Sequence, residues 1–132
     1  MKLFDNTLNV IEKSMDLRFR RHRLLSSNVA NSETPNYRSR ELDFSGELEK
    51  VLGAKPENNL VKTSPLHMDT AAGSGPHVVL DDTAAMGADG NNVDLDISMG
   101  KISENSRAYG NATTWLGVQL RLLKTAARGR PA

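Results

Sequence analysis

Apolar residues near the start of the chain recur at alternating intervals of four and three, which is typical of one face of an α-helix. No Gly or Pro precedes Pro35, so the pattern predicts an uninterrupted helix from about residue 5 to about residue 30, with Asp5 as its N-cap. This face, called the N-terminal row, consists of Phe4, Leu8, Ile11, Met15, Leu25 and Val29. A second apolar row on the same helix consists of Leu3, Val10, Leu17 and Leu24.

The last segment keeps the same spacing over a longer distance, after a predicted N-cap at Asp94. A repeat of about 3.5 residues sustained in this way is typical of a coiled coil. Gly110 and Gly117 interrupt good helix material at a cost of about 1 kcal/mol each relative to Ala, so they either admit a close neighbour or weaken the helix. The C-terminal row consists of Leu95, Met99, Ile102, Tyr109, Leu116, Leu120 and Leu123.

Between the two helices the chain is rich in Gly and Pro, and only short pieces at 60–63 and 78–80 are suited to strands or a hairpin. The fold class predicted is mainly α. Long N- and C-terminal helices pack as a coiled coil, with an extended, irregular middle that holds short β-structure. We divide the chain into an N-terminal helix (1–33), a turn with an extended middle segment (34–92) and a C-terminal helix (93–132).

The terminal rows predict association with other molecules. Packing one helix against the other buries one row on each, and it leaves the second row of the first helix facing water. Both helices are also basic, since residues 1–40 carry a net charge of +4 and residues 97–132 carry +5, against −8 in residues 41–96. We therefore predict that both rows are subunit-packing surfaces, buried against further copies or other proteins.

No catalytic, cofactor-binding or metal site is predicted. The absence of Cys excludes disulfides and thiolate chemistry, and His22, His67 and His77 have no ligand spacing. Residues 89–100 resemble a calcium loop only faintly, because Asp94 and Gly100 stand where Gly and Glu are required. No apolar run is long enough to span a membrane, and the N-terminus lacks a signal peptide's apolar core.

The arginine cluster at 18–23 leaves two interpretations open. Four arginines in six positions suit contacts with phosphates, but on a helix they spread around more than a full turn, and no aromatic ladder or recognition motif accompanies them. A solvated face, or ion pairs with an acidic surface such as the middle segment of a neighbouring copy, is favoured. Nucleic acid is therefore not expected as a partner.

One stretch is specific enough to indicate a family. Residues 26–37, SSNVANSETPNY, resemble the SxNxANxxTPGY-type signature that follows the first helix of bacterial flagellar rod, hook and hook-associated axial proteins. Residues 38–44, 63–68 and 89–96 extend the resemblance, and the short length points to a rod protein. Asn36 stands where the family usually has Gly, and Asn also tolerates a left-handed conformation. The signature residues are Asn28, Ala30, Asn31, Thr34, Pro35 and Tyr37.

The resemblance implies a structural, non-enzymatic subunit of the proximal rod, which self-assembles with other rod proteins into a hollow, torque-transmitting shaft. It implies export by the flagellar type III system, a place in the periplasmic rod of the basal body, and no cofactor. Implied partners are further copies of the chain, the rod proteins FlgC, FlgF and FlgG, the adaptor FliE and the MS-ring protein FliF. In the turn, Asn28 and Asn31 are expected to bond backbone or neighbours, and Tyr37 to anchor the outgoing loop. The alternative is a secretion-linked helical adaptor or binding module.

Overall fold

The computed structural model describes residues 2–53 and 76–129. In these ranges the chain forms α1 (Lys2–Ala30), β1 (Arg40–Leu42), α2 (Phe44–Val51), β2 (Val78–Leu80) and α3 (Leu95–Arg128). The prediction of a mainly α protein with long terminal helices and a little β-structure between them is confirmed. The expected strand at 60–63 and His67 lie outside the described residues, as does the side chain of Phe4.

The two long helices run antiparallel to each other. The side chain of Asn91, just before α3, bonds the carbonyl of Asn31 after α1, and Asn105 further along α3 donates to the carbonyl of Arg18 at 2.8 Å. Residue numbers therefore rise along one helix as they fall along the other. Supercoiling of this pair as a coiled coil stays a prediction.

The ends of the helices follow their capping residues. Asp94 caps α3 by accepting from the Ile97 backbone N–H at 3.0 Å, as predicted, and Gly129 ends the helix in the left-handed conformation. The Asp5 cap is wrong, because α1 already begins at Lys2 and residue 5 lies inside it. The sequence analysis also missed α2, which Asp43 caps through the backbone N–H of Gly46.

The face of α3 that packs against α1 overlaps the apolar row only in part. Ser98 and Asn105 are buried there, whereas the row presents Leu95, Met99, Tyr109 and Leu120 as exposed and Ile102, Leu116 and Leu123 as half-buried. On α1 the buried residues are Leu17, Leu25 and Asn28. Burial of Leu17 corrects the expectation that the second row of α1 faces water, because this row turns toward the interior of the molecule.

A two-stranded antiparallel sheet lies beside α1. Glu41 in β1 is opposite Val79 in β2, and the pairing continues beyond both strands through bonds from Asp43 to the His77 carbonyl and from Asp81 to the Ser39 carbonyl. The predicted strand at 78–80 is confirmed as β2, and all three of its residues are exposed. None of the described helices has the length and apolar character needed to cross a membrane.

Candidate functional site

The signature residues form the turn that leaves α1. The Asn31 side chain donates to the Ser27 carbonyl at 2.7 Å, and the Thr34 hydroxyl donates to the Asn31 side-chain oxygen at 3.3 Å. Asn36 adopts φ 59°, so it occupies the left-handed conformation that its family position suggested. The helix stops at Ala30, and the side chains of Asn31 and Thr34 close the turn together with backbone bonds from Thr34 to Asn31 and from Tyr37 to Thr34.

Asn28 fixes the chain that leaves this turn. Its side chain is 2% exposed and bonds both backbone groups of Arg40, donating to the carbonyl at 2.8 Å and accepting from the N–H at 3.1 Å. The Tyr37 hydroxyl donates to the same Asn28 oxygen at 3.2 Å. The amide thus acts toward β1 as a neighbouring strand would, and Tyr37 anchors the outgoing loop through it.

Asn91 holds the other side of the turn. Its side-chain N–H₂ donates to the carbonyls of Asn31, Ser32 and Thr34 at 3.0, 2.9 and 2.9 Å. These three carbonyls belong to the turn that follows α1, so a single buried amide holds that turn in place. The Asn91 oxygen accepts from the Val93 N–H at 2.7 Å, which connects the turn to the start of α3.

Gly90 and Asn92 complete the contacts between the signature turn, β1 and the residues before α3, which we call the junction. Asn92 accepts from the Ser39 N–H and donates to the Asp81 carbonyl, both at 2.7 Å. Gly90 has φ 77°, and a Cβ on it would lie 2.5 Å from the side-chain oxygen of Asn36, so the position requires glycine. Residues 89–92, which resembled a calcium loop faintly, therefore dock onto the signature turn.

Four charged side chains connect α1, β1, the loop after β2 and α3. Arg21 makes two bonds to the Glu41 carboxylate at 2.8 and 3.1 Å, Lys101 lies 3.5 Å from Glu41, and Lys101 also bonds Asp81. Burial raises the pKa of the Glu41 carboxyl, but the bonds from Arg21 and the Leu42 N–H and the charge of Lys101 outweigh it, so the pKa lies below the ordinary value of a glutamate. Burial also raises the pKa of the Asp81 carboxyl, but its bonds to Lys101 and Thr83 outweigh this effect and leave the pKa below the ordinary value of an aspartate.

The arginines of the cluster at 18–23 contact different partners. Arg21 belongs to the charged cluster above, Arg20 pairs with Asp16 one turn earlier, and Arg18 lies over the Phe44 ring of α2 at 4.6 Å. Burial lowers the pKa of the Arg18 guanidinium. The expected acidic partner is found within the same chain, because Glu41 belongs to the acidic middle segment.

The structure brings the signature residues together. The apolar rows of the two helices differ from each other in how deeply they are buried. On α1, Leu25 of the N-terminal row is buried, while Leu8, Ile11, Met15 and Val29 are half-buried. Of the signature residues, Ala30, Thr34 and Pro35 are exposed. Sequence reasoning missed the docking roles of Asn91, Asn92 and Asn105; the polar Asp-Gly-Asn-Asn run before the Asp94 cap was the available signal for the first two.

The junction is built for shape rather than chemistry. Its buried amides are bonded to backbone groups, and its carboxylates are bonded to cations or backbone N–H groups. No group of three or more potential ligand residues that could hold a metal ion occurs in residues 2–53 and 76–129. The arrangement fixes the two long helices relative to the two-stranded sheet.

Comparison with known proteins shows which family the chain is related to. A scan against models of protein families gives no match. The flagellar basal body rod protein FlgB of Salmonella typhimurium is 34% identical over 133 residues, covering 95% of each chain. The FlgB of Yersinia enterocolitica is 33% identical over 125 residues, 89% of this chain and 90% of its own. That of Borreliella burgdorferi is 31% identical over 116 residues, 83% and 86% of the two chains.

Proposed function

Because the chain belongs to the FlgB family of flagellar basal body rod proteins, we propose that it enters the rod through its two apolar rows. The protein is a structural subunit of the flagellar basal-body rod. Its junction of buried amides sets the angle of the helices, and the rows of α1 and α3 are covered by neighbouring subunits. The mechanical task of such a subunit is to transmit torque through interlocked helices, without catalysis.

One observation supports this use of the C-terminal row most strongly. Leu95, Met99, Tyr109 and Leu120 are exposed although α1 packs along the same helix. Intramolecular packing buries Ser98 and Asn105 on the neighbouring face of α3, so these four residues of the row stay available. Exposed apolar stripes of this length mark surfaces that bind other proteins.

The finer assignments follow from the same proposal. Neighbouring subunits are further copies of the chain and the rod proteins FlgC, FlgF and FlgG, with FliE and the MS-ring protein FliF at the base. The chain leaves the cytoplasm through the flagellar type III system and lies in the periplasmic part of the basal body. The segments 1–33 and 93–132 then form the shaft, and 34–92 carries the turn and the two-stranded sheet beside it.

A pair of matched substitutions tests the proposal. Leu120 and Leu122 are 53% and 52% exposed, but only Leu120 belongs to the row. We expect Leu120→Asp to abolish rod assembly and swimming in a strain that lacks the native copy, because a charge cannot be buried unpaired between subunits. Leu122→Asp should preserve both. Motility in soft agar, electron microscopy of isolated basal bodies and the cellular level of each variant provide the measurement.

Normal rods with Leu120→Asp would contradict the assignment of the row. Loss with both variants at normal protein levels would also contradict it, because burial would then extend around α3. The secretion-linked adaptor makes a different prediction, namely a chain that is absent from purified basal bodies. The comparisons offer that alternative no support.

A further inference from the structure

The loop after β2 and a groove beside α1 are complementary in charge and in apolar character, yet they are separate surfaces of the subunit. We propose that, in the assembled rod, residues 82–89 of one copy of the chain dock into this groove of the next copy. The inference rests on the proposed rod function and adds a contact outside the N-terminal and C-terminal rows. The groove offers apolar residues, two arginines and a free strand edge, and the loop offers an exposed methionine between two aspartates.

The groove lies between α1 and the sheet and holds about 350 Å³. Three apolar residues line it, namely Leu42 of β1, which is 3% exposed, Leu24 of α1, which is half-buried, and Val78 of β2, which is exposed. Arg20 and Arg23 line the same groove and are both exposed. An occupant that fits this lining is apolar where it enters and acidic beside that point.

The two arginines keep donors for an acidic partner. Arg23 has neither an ion pair nor a ring contact among the described residues. Arg20 bonds Asp16 through Nε at 3.1 Å, which leaves its terminal nitrogens available to another acceptor. Arg21 turns away from this pair toward Glu41. The acidic partner that the sequence predicts for the cluster is therefore still to be supplied for Arg20 and Arg23, which lie on adjacent turns of the helix.

The outer edge of β2 lies next to the groove and is unpaired. The bond from the Asp43 N–H to the His77 carbonyl continues the ladder with β1, and such bonds alternate along an antiparallel pair. The N–H and C=O groups of Val78 and Leu80 therefore point away from β1, and no third strand pairs with them in the part of the chain that the structure describes. An edge of this kind binds an extended segment of another chain.

The loop after β2 has the apolar, acidic and non-helical character that the groove requires. Residues 82–89 contain no helix and carry Asp82 and Asp89 at their ends. Met86 between them is 56% exposed, and a flexible thioether side chain fills irregular apolar gaps well. Asp82 pairs with Arg38 through Oδ1, but its side chain stays 69% exposed. The start of α3 also combines acidic and apolar side chains, but a helical backbone cannot add to a strand edge.

Hydrogen bonds at both ends hold this loop in place. The Thr83 N–H and hydroxyl donate to the Asp81 carboxylate at 3.2 and 2.7 Å, and the Gly87 N–H donates to the Asn91 carbonyl at 2.7 Å. Asp89 accepts from the Asn91 N–H through Oδ1 at 3.1 Å, which leaves Oδ2 for a cation. Because the loop is already ordered, docking costs less conformational entropy than ordering a free segment would.

The contact is heterologous, because the loop and the groove are different surfaces. A copy that inserts Met86 into one neighbour still offers its own groove to another, so the contact can repeat from subunit to subunit. Asp89 of one copy then lies beside Arg23 of the next, and this charge pair distinguishes the two directions of stacking. A repeating, directional contact is what a rod requires.

Cysteine pairs test the contact directly, because the chain contains no Cys. Basal bodies are isolated from a strain whose only copy is the double variant Arg23→Cys/Met86→Cys and are treated with a short bifunctional thiol reagent. We expect a ladder of covalent multimers of this chain, and no multimers from either single variant. Dimers from Met86→Cys alone would overturn the proposal in favour of a symmetric contact between loops. Cross-links only to a different protein, or no multimers in rods of normal number, would refute docking between copies and leave the rod function intact.

Charge variants keep the proposal testable where the cysteines impair assembly. At equal cellular protein level, Met86→Lys should lower the yield of basal bodies at least about tenfold, because its ammonium group would face Arg20 and Arg23 of the next copy. Adding Arg23→Glu to the same chain should restore the yield to within about threefold of the native value. The control Leu52→Lys, at a position 62% exposed, should leave the yield unchanged. A native yield with Met86→Lys, no rescue by Arg23→Glu, or an equal loss with Leu52→Lys would refute the contact, whereas Leu120→Asp tests the row separately.

Discussion

Replacing Asn91 tests whether one amide holds the turn that follows α1. In Asn91→Ala, two N–H donors shared by three carbonyls disappear, together with the acceptor of the Val93 N–H at 2.7 Å. At about 1 kcal/mol net for each of three donor or acceptor groups, the free energy of unfolding should fall by about 3 kcal/mol. The Asn31 and Thr34 carbonyls keep a backbone donor, so Ser32 bears the largest loss.

Urea denaturation followed by circular dichroism at fixed protein concentration measures this change, and hydrogen exchange shows whether the end of α1 loosens first. Asn91→Asp separates hydrogen bonding from shape, since it keeps the size and the acceptor toward Val93 but turns an oxygen toward three carbonyls. Its loss should exceed that of Asn91→Ala. Asn111→Ala, on the exposed side of α3, is the control and should change stability by less than about 0.5 kcal/mol. A loss below that value in Asn91→Ala would refute the reasoning.

Two further predictions concern the same junction. The Glu41 and Asp81 carboxyls have pKa values below their unfolded values, so the stability that they contribute is full above about pH 5 and is lost as pH falls through the depressed pKa values. Thermal melts between about pH 6 and pH 3 should show this decline, with a shallower slope in Glu41→Gln; a flat profile in the native protein would contradict it. Gly90→Ala should destabilise by about 1–3 kcal/mol through its φ of 77° and its contact with Asn36, whereas Gly100→Ala, with open space around its Cβ, should stabilise by up to about 1 kcal/mol. If urea denaturation showed equal changes in the free energy of unfolding for these two substitutions, the argument that position 90 requires glycine would be contradicted.

Local signals in the sequence were sufficient for the two long helices and one strand. Periodic apolar residues and the absence of Gly or Pro before Pro35 predicted α1, and the Asp94 cap fixed the start of α3. The Asp5 cap failed because capping preference is weak beside the continuing helical pattern, and helix ends are the least certain boundaries. The short α2 was not predicted, because its eight residues are too few to show a clear helical periodicity and the Asp43 cap alone is a weak signal.

The junction could not be predicted because its contacts join residues far apart in sequence. Asn91 and Asn31 are separated by 60 residues, and nothing in the local pattern of either indicates the other. The family signature marked Asn28 and Tyr37 as important, but only the structure shows that both act on the backbone that leads into β1. The role of the arginine cluster was equally hidden, since pairing of Arg21 with Glu41 depends on how β1 lies against α1.

The distribution of polar and apolar residues explains why this subunit suits assembly. Among the described residues the buried apolar side chains are Leu17, Leu25 and Leu42, whereas six polar residues are buried, which reverses the usual preference of protein interiors. Hydrogen bonds are directional, so buried amides set the angle between the helices. Apolar contacts are non-directional and scale with the area buried. Leu95, Met99, Tyr109 and Leu120 of the α3 row stay exposed. Under the proposed function, burying them supplies free energy for the contact with neighbouring subunits rather than for the protein's own core.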